Sequence, residues 1–164
     1  MIEILGLLGN GVWDAIQPLN LVLIVVGVTL GLFIGAMPGL GSVNGVAILL
    51  PITFLVPSGS AIIFLAAIYY GAMYGGAISS ITLGIPGAST AVATTFDGRP
   101  LAMQGKARLA LVVAALASFV GGTVANVLFT GFAPLLANVA LSFGPPEIFA
   151  LMLLAFATFV GLGG

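Results

Sequence analysis

Long uncharged apolar runs, interrupted by two Pro-Gly breaks and one charged stretch, set the pattern of this chain. Leu19 to Ala36 is 18 residues without a charge, about 27 Å as helix, close to the hydrocarbon thickness of a bilayer. It predicts a membrane span. The first break, Ala36-Met37-Pro38-Gly39-Leu40-Gly41-Ser42, follows at once, and Ser42 is placed to cap a second helix. The apolar body of that helix, Val43 to Val56, contains Pro51 and stops at Pro57-Ser58-Gly59. It is short for a crossing, so it reads as one arm of a re-entrant hairpin or half of a kinked span. Ser60 to Tyr74 begins the next element, which reaches Gly75-Gly76, resumes from Ala77 to Ile85 and meets the second break, Leu83-Gly84-Ile85-Pro86-Gly87-Ala88-Ser89-Thr90. A further helix is expected from about Ala107 to Thr130. Phe132 to Phe143 is too short to span and ends at Gly144-Pro145-Pro146, after which Glu147 starts a last segment that stops at Gly161-Leu162-Gly163-Gly164. The pattern predicts an all-α, multi-pass membrane protein with about five apolar segments, some broken or re-entrant, in a single membrane domain over residues 1–164.

The breaks carry the functional information. Lipid cannot satisfy the backbone groups a break sets free, so such a segment survives at membrane depth only inside protein or beside a watery cavity. Discontinuous helices use their exposed ends this way, turning N–H groups toward anions and carbonyls toward cations. The two breaks also resemble each other. Each is a Pro-Gly pair followed by small hydroxyl residues and an apolar helix, and the prolines lie 48 positions apart. Gly39, Gly41 and Gly87 stand where glycine permits unusual backbone conformations and close approach of a ligand. Glycines at helical spacing, Gly27/Gly31/Gly35, Gly71/Gly75, and Gly121 with Ala117 and Ala125, read instead as packing faces.

Composition agrees with the membrane reading and removes other classes. Hydrophobic residues make up 61%, charged residues 4%, and mean hydropathy is +1.34, too little polar surface to coat a soluble globule. Without cysteine or histidine there is no thiol nucleophile, no imidazole base and no common transition-metal ligand set. A serine protease lacks its base, and an aspartyl type lacks a second intramembrane carboxylate beside Asp97. The chain is expected not to be an enzyme and to hold no cofactor. A net charge of -1 gives no footprint for nucleic acid.

Charge placement orients the chain. Arg99, Lys106 and Arg108 all fall between Asp97 and Arg108, whereas Glu3, Asp14 and Glu147 lie elsewhere. The positive-inside rule makes that stretch a cytoplasmic loop. Asp97, before Gly98 and beside Arg99, reads as fixing a turn or a surface pair there, with proton coupling the alternative. At the other end, Ile2, Ile4, Leu5, Leu7, Leu8, Val12, Trp13 and Ile16 suit a retained interfacial helix, with Trp13 at headgroup level. Tyr69, Tyr70 and Tyr74, followed by Ser79, Ser80 and Thr82, either line a path or sit in an aromatic belt with hydroxyls bonded back to helix carbonyls.

Pro38-Gly39-Leu40-Gly41, Ala47-Ile48-Leu49-Leu50-Pro51-Ile52-Thr53-Phe54 and Ile68-Tyr69-Tyr70-Gly71-Ala72-Met73-Tyr74-Gly75-Gly76 come in order. Ile85-Pro86-Gly87 and Thr95-Phe96-Asp97-Gly98 follow, with Pro100, Gly105 and Lys106 behind. This series resembles the large membrane subunit of tripartite tricarboxylate transporters over nearly the whole chain, which corresponds to its N-terminal third. Gly84 departs from the resemblance, standing where that family often has asparagine. The resemblance implies a permease of the bacterial inner membrane, taking up tricarboxylates or related carboxylates by symport with Na⁺ or H⁺. It also implies two partners, a periplasmic solute-binding protein and a small membrane subunit. A non-transporting scaffold or assembly subunit is the alternative function.

A carboxylate entering a low-dielectric site must exchange its hydration for oriented donors. Half-helix ends at Gly39-Leu40-Gly41 and Gly87-Ala88 supply backbone N–H groups, and Ser42, Asn44, Ser89 and Thr90 supply side-chain donors. Carbonyls freed at Pro38 and Pro86 are suited to a coupling Na⁺. No basic residue lies inside the expected membrane region, so binding by neutral donors favours release in each cycle.

Overall fold

In the computed structural model the structure describes residues 2–162, without the side chains at 2–5, 7, 134, 138 and 162, and the described residues are mostly helical. The side chains of Ile2, Ile4, Leu5 and Leu7, expected on the apolar face of an interfacial helix, and the stop at Gly163-Gly164 lie outside the described residues. No strand occurs among those described. The chain divides into two compact units, Met1–Ser118 and Phe119–Gly164.

The first unit begins with α1 (Ile2–Ile16), whose Trp13 is 72% exposed, and α2 (Pro18–Ala36). Proline opens α2, where its missing N–H is no loss. After the first break come α3 (Gly41–Leu49), a 3-10 segment Leu50–Leu55 in which Pro51 tightens the helix, and α4 (Ser58–Leu83). Both α2 and α4 are long and apolar enough to cross a membrane. Gly75-Gly76 does not divide α4, contrary to the two-part reading; the helix runs through 26 residues.

The reason lies in how α2 meets α4. A methyl group on Gly27 would fall 2.9 Å from the Ala67 methyl, one on Gly31 onto the Ile68 carbonyl, and one on Gly35 onto the Ala72 carbonyl. Reciprocally, Gly71 lies against the Val28 carbonyl and Gly75 against that of Leu32. The pairs advance together along both helices, so α2 and α4 run parallel. Cα–H groups face carbonyl oxygens at backbone contact, the geometry that small-xxx-small faces permit in membranes. Each glycine costs its helix about 0.5–1 kcal/mol relative to alanine, and here that is offset by an approach no side chain would allow. Gly121 differs: nothing lies within 4 Å of a methyl there, so the packing expected of it is absent among the described residues.

Corrections extend to the charged stretch. Residues expected as a cytoplasmic loop are mostly helical: α5 (Val92–Leu101) contains Asp97 and Pro100, a π segment spans Ala102–Lys106, and α6 (Ala107–Leu141) follows. Gly105 makes the kink at φ +78. Asp97 therefore sits on a helix rather than in a turn, and it forms no pair with Arg99, since residues two apart on a helix do not face each other. Arg99 instead donates to the Thr82 carbonyl at the end of α4. The helix expected to stop near Thr130 continues to Leu141 and absorbs most of Phe132 to Phe143, so the separate short segment is not formed.

In the second unit the axis turns by 91° between Leu135–Leu141 and Pro145–Gly161. There α7 (Pro145–Leu162) starts at Gly144, whose N–H donates to Glu147 Oε2 at 2.8 Å. That bond is half of a capping box and puts a carboxylate in the first turn, where the helix dipole favours it.

Candidate functional site

The two breaks meet. Met37 to Leu40 ends α2 in a tight turn with Gly39 at φ +88 and Gly41 at φ +68, after which α3 folds back so that Gly45 packs on the Ile34 side chain. On the other side, α4 ends at Gly84 in the left-handed conformation, its N–H donating to the Ser80 carbonyl. The chain then doubles back along α4. Ser80 Oγ donates at 3.0 Å to the Ala91 carbonyl, and a methyl on Gly76 would lie 3.2 Å from the Ala88 nitrogen. After one 3-10 turn, Ser89–Ala91, α5 runs forward again to set Gly98 on Ile81. Residues 84–91 thus form a re-entrant dip beside α4, and Met37–Ser42 is the tip of a hairpin made by α2 and α3.

Met73 joins the two tips. Ser42 Oγ donates to its Sδ at 3.4 Å and Thr90 Oγ1 at 3.6 Å. Gly41 and Gly87 are also neighbours: a methyl on Gly41 would lie 3.9 Å from the Gly87 carbonyl oxygen. At the helical rise, Met73 is about 22 Å along α4 from Ser58 and about 15 Å short of Leu83. The tips therefore meet well inside the span.

Between them lies a cavity of about 230 Å³, below the ~300–1,000 Å³ usual for drug-sized ligands and suited to a small solute. Of the residues expected at a site, Leu40, Gly41, Ser42, Asn44, Ala88, Ser89 and Thr90 line it. Gly39 and Gly87 do not. Gly39 shapes the turn in open surroundings, while Gly87 is buried behind the cavity against Gly35, Gly76 and Ser79. Pro38, which is exposed, and Pro86, half-buried, also lie off the lining. Tyr69, one of the three tyrosines read as lining a path or sitting in an aromatic belt, is on the lining, whereas Tyr70 and Tyr74 are not; Val43 and Met73 are lining residues that sequence reasoning missed. Tyr69 and Met73 are four apart on α4 and so share a face, which was the available signal.

The donor set is neutral. Helix α3 begins at Leu40 as N-cap with no side-chain cap, so the expected capping by Ser42 is not formed; Ser42 sits inside the first turn, 6% exposed, with its hydroxyl spent on Met73. The first N–H groups of α3 therefore have no helical acceptor. No lysine or arginine lines the cavity. Other polar residues of α4 bond locally, Ser79 to the Gly76 carbonyl and Thr82 to that of Ile78, while Ser80 shares its one proton between the Gly76 and Ala91 carbonyls. Tyr74 ties α4 to α6 through the Leu111 carbonyl at 3.0 Å. Tyr69 and Tyr70 contact edge to face at 6.3 Å.

The family model described as tripartite tricarboxylate transporter TctA family matches residues 21–164. A protein of Agrobacterium vitis, described as an uncharacterized 52.8 kDa protein in the TAR-I ttuC' 3' region, is 43% identical over 162 residues. That match covers 99% of this chain and 32% of the relative, so the chain spans about a third of the relative's length. No solved structure matches.

Proposed function

Because this chain belongs to the tripartite tricarboxylate transporter TctA family, we propose that the cavity between its two interrupted segments is part of the carboxylate site of a secondary permease. The family is one of transporters, not enzymes. In this reading the whole protein sits in the bacterial inner membrane with a small membrane subunit, and a periplasmic solute-binding protein delivers tricarboxylates or related carboxylates. Uptake is by symport with Na⁺ or H⁺.

The observation that carries the proposal is the convergence of both Pro-Gly breaks on Met73 within the span. A substrate carboxylate entering there meets Ser42, Asn44, Ser89 and Thr90 and the unpaired N–H groups that open α3. Anion affinity at a helix start needs no cationic side chain. Arginine would hold a carboxylate by a strong bidentate bond; neutral donors make each bond weaker and favour turnover. Leu40, Gly41 and Ala88 contribute backbone and walls, Gly39 and Gly87 the shape of the tips. A coupling Na⁺ on carbonyls freed at Pro38 and Pro86 would lie beside the cavity rather than within it.

Binding of labelled citrate by the full-length complex tests this reading. Ser42→Ala combined with Thr90→Val should weaken binding by about a hundredfold, at roughly tenfold per lost hydrogen bond to a charged group. Unchanged binding and uptake would leave the tips as a packing device and favour the scaffold alternative.

A further inference from the structure

Two of the polar side chains on the lining of the cavity between the tips are already spent, because Ser42 and Thr90 donate to Met73 Sδ. Asn44, Tyr69 and Ser89 make no hydrogen bond among the described residues. These three free groups come from three elements: Asn44 from α3, Tyr69 from α4, and Ser89 from the 3-10 turn of the dip. Asn44 and Ser89 travel with the tips. Tyr69 instead stands on α4, which runs unbroken from Ser58 to Leu83.

Depth along α4 rules out an aromatic belt for this tyrosine. At the helical rise Tyr69 is about 17 Å from Ser58 and about 21 Å from Leu83, near the middle of the span and away from the headgroups that a belt tyrosine meets. A phenol at that depth needs a partner for its O–H, because hydrocarbon offers none. The hydroxyls nearer Leu83 have theirs: Tyr74 donates to the Leu111 carbonyl, and Ser79, Ser80 and Thr82 to carbonyls of α4 and the dip. Tyr69 is the exception. It is also accessible, at 41% exposure against 6% for Ser42. Its edge contact with Tyr70, at 81° between ring planes, restrains the ring while the O–H stays free to rotate.

Resting on the assignment of this cavity to a carboxylate, we propose that Tyr69 is a substrate-binding residue whose phenol O–H donates to a carboxylate oxygen, joined by Asn44 Nδ2 and Ser89 Oγ. An ionised carboxylate only accepts and has about four lone-pair sites. The three free donors and the first N–H groups of α3 match that capacity before either hydroxyl leaves Met73. Ser42 and Thr90 then join by exchanging a weak thioether acceptor for a charged one. Tyr69 differs from the others in where it is held. Helix α4 is clamped against α2 by backbone contact at Gly71 and Gly75, so its phenol gives the carboxylate a donor on a rigid element, and the tips supply the rest.

Equilibrium binding of labelled citrate to the full-length complex tests the assignment. Tyr69→Phe keeps the ring against Tyr70 and removes one bond to a charged acceptor, so affinity should fall about tenfold with the melting temperature unchanged. Tyr70→Phe, off the lining, should bind as the wild type does. Replacing Tyr69 with 3-fluorotyrosine by codon suppression gives a phenol of nearly the same size and greater acidity. Below the pKa of that phenol, citrate should bind a few-fold more tightly, a gain that a tyrosine serving only to pack would not produce. Full affinity in Tyr69→Phe, an equal loss in Tyr70→Phe, or no gain from the fluorinated residue overturns the proposal. If Tyr69→Phe binds like the wild type while Ser42→Ala with Thr90→Val loses affinity, Tyr69 alone is dismissed and the carboxylate site stands. Failure of the wild type to bind citrate overturns both.

Discussion

Gly87→Ala and Gly39→Ala add the same methyl group to the two breaks, yet they should fail differently. Gly87 is absent from the positive-φ positions, so alanine faces no backbone penalty there. Its methyl would instead fall on the Gly35 carbonyl oxygen, 2.7 Å from Ser79 Oγ and 2.9 Å from Gly76 Cα. Two of those neighbours are backbone, in helices held together by glycine contacts. The clash can be relieved only by moving the second tip away from α2 and α4, because neither helix can yield alone. Overpacking of this kind costs about 1–3 kcal/mol, and the rigid surroundings put it near the top of that range. At ~3 kcal/mol the population with both tips in place falls by about two orders of magnitude.

Gly39 has nothing within 4 Å of an added methyl but sits at φ +88. Alanine there costs roughly 1–2 kcal/mol through the left-handed backbone alone. Asparagine distinguishes crowding from strain. It tolerates left-handed φ, so Gly39→Asn should recover part of the loss, whereas Gly87→Asn should be worse than Gly87→Ala. Melting temperature of the full-length protein in detergent and uptake of labelled citrate in cells of matched expression give the two readouts. Gly87→Ala with wild-type melting and uptake would refute the packing of the second tip. The same order of alanine and asparagine at both positions would refute the distinction drawn between them.

Met73→Leu keeps the volume but removes the acceptor of the Ser42 and Thr90 hydroxyls. If those bonds must break for substrate to bind, carboxylate affinity should rise by a few-fold, read by equilibrium binding, while melting changes little. Gly31→Ala and Gly35→Ala should each lower the melting temperature more than Gly105→Ala, since their methyls meet backbone whereas Gly105 carries only the strain of φ +78. Arg99→Ala should destabilise the α4 terminus by about 1–3 kcal/mol through loss of the charged donor on the Thr82 carbonyl, and Arg99→Lys should restore part of it, both read by thermal melting. Glu147→Gln should weaken the start of α7 by about 0.3–1 kcal/mol, visible as faster amide exchange at residues 144–148.

The spans α2 and α4, the location of both breaks and the packing role of Gly27, Gly31 and Gly35 were legible in sequence because each rests on a local rule: run length, Pro-Gly chemistry or four-residue spacing. Gly75-Gly76 misled for the opposite reason. Two adjacent glycines weaken an isolated helix, but here Gly75 faces the Leu32 carbonyl and Gly76 the Ala88 backbone, so tertiary contact holds the helix through them. The charged stretch misled too, since polarity reads as loop when the partner of Arg99 is unknown. Gly84 was marked only as a departure from asparagine. Its φ of +75 explains the pairing, because glycine and asparagine are the residues that enter left-handed backbone readily. Met73 could not be recognised as the link between the breaks from its own neighbourhood. Its significance comes from two hydroxyls 31 and 17 residues away.

The glycine face between α2 and α4 also decides where the tips can be. If Gly31, Gly35, Gly71 and Gly75 carried side chains, the two helices would separate by the extra width of those groups, and the α2–α3 turn would move away from Met73 and Gly87 with them. Packing and binding are then one property of the same residues rather than competing explanations for them. The interrupted segments need protein or water around their free backbone groups, and the close helix pair provides the protein on one side while the cavity provides the opening on the other. A chain that kept its Pro-Gly motifs but lost the glycine face would therefore expose those backbone groups to lipid, which explains why the breaks and the close-packed pair have to occur together in one unit.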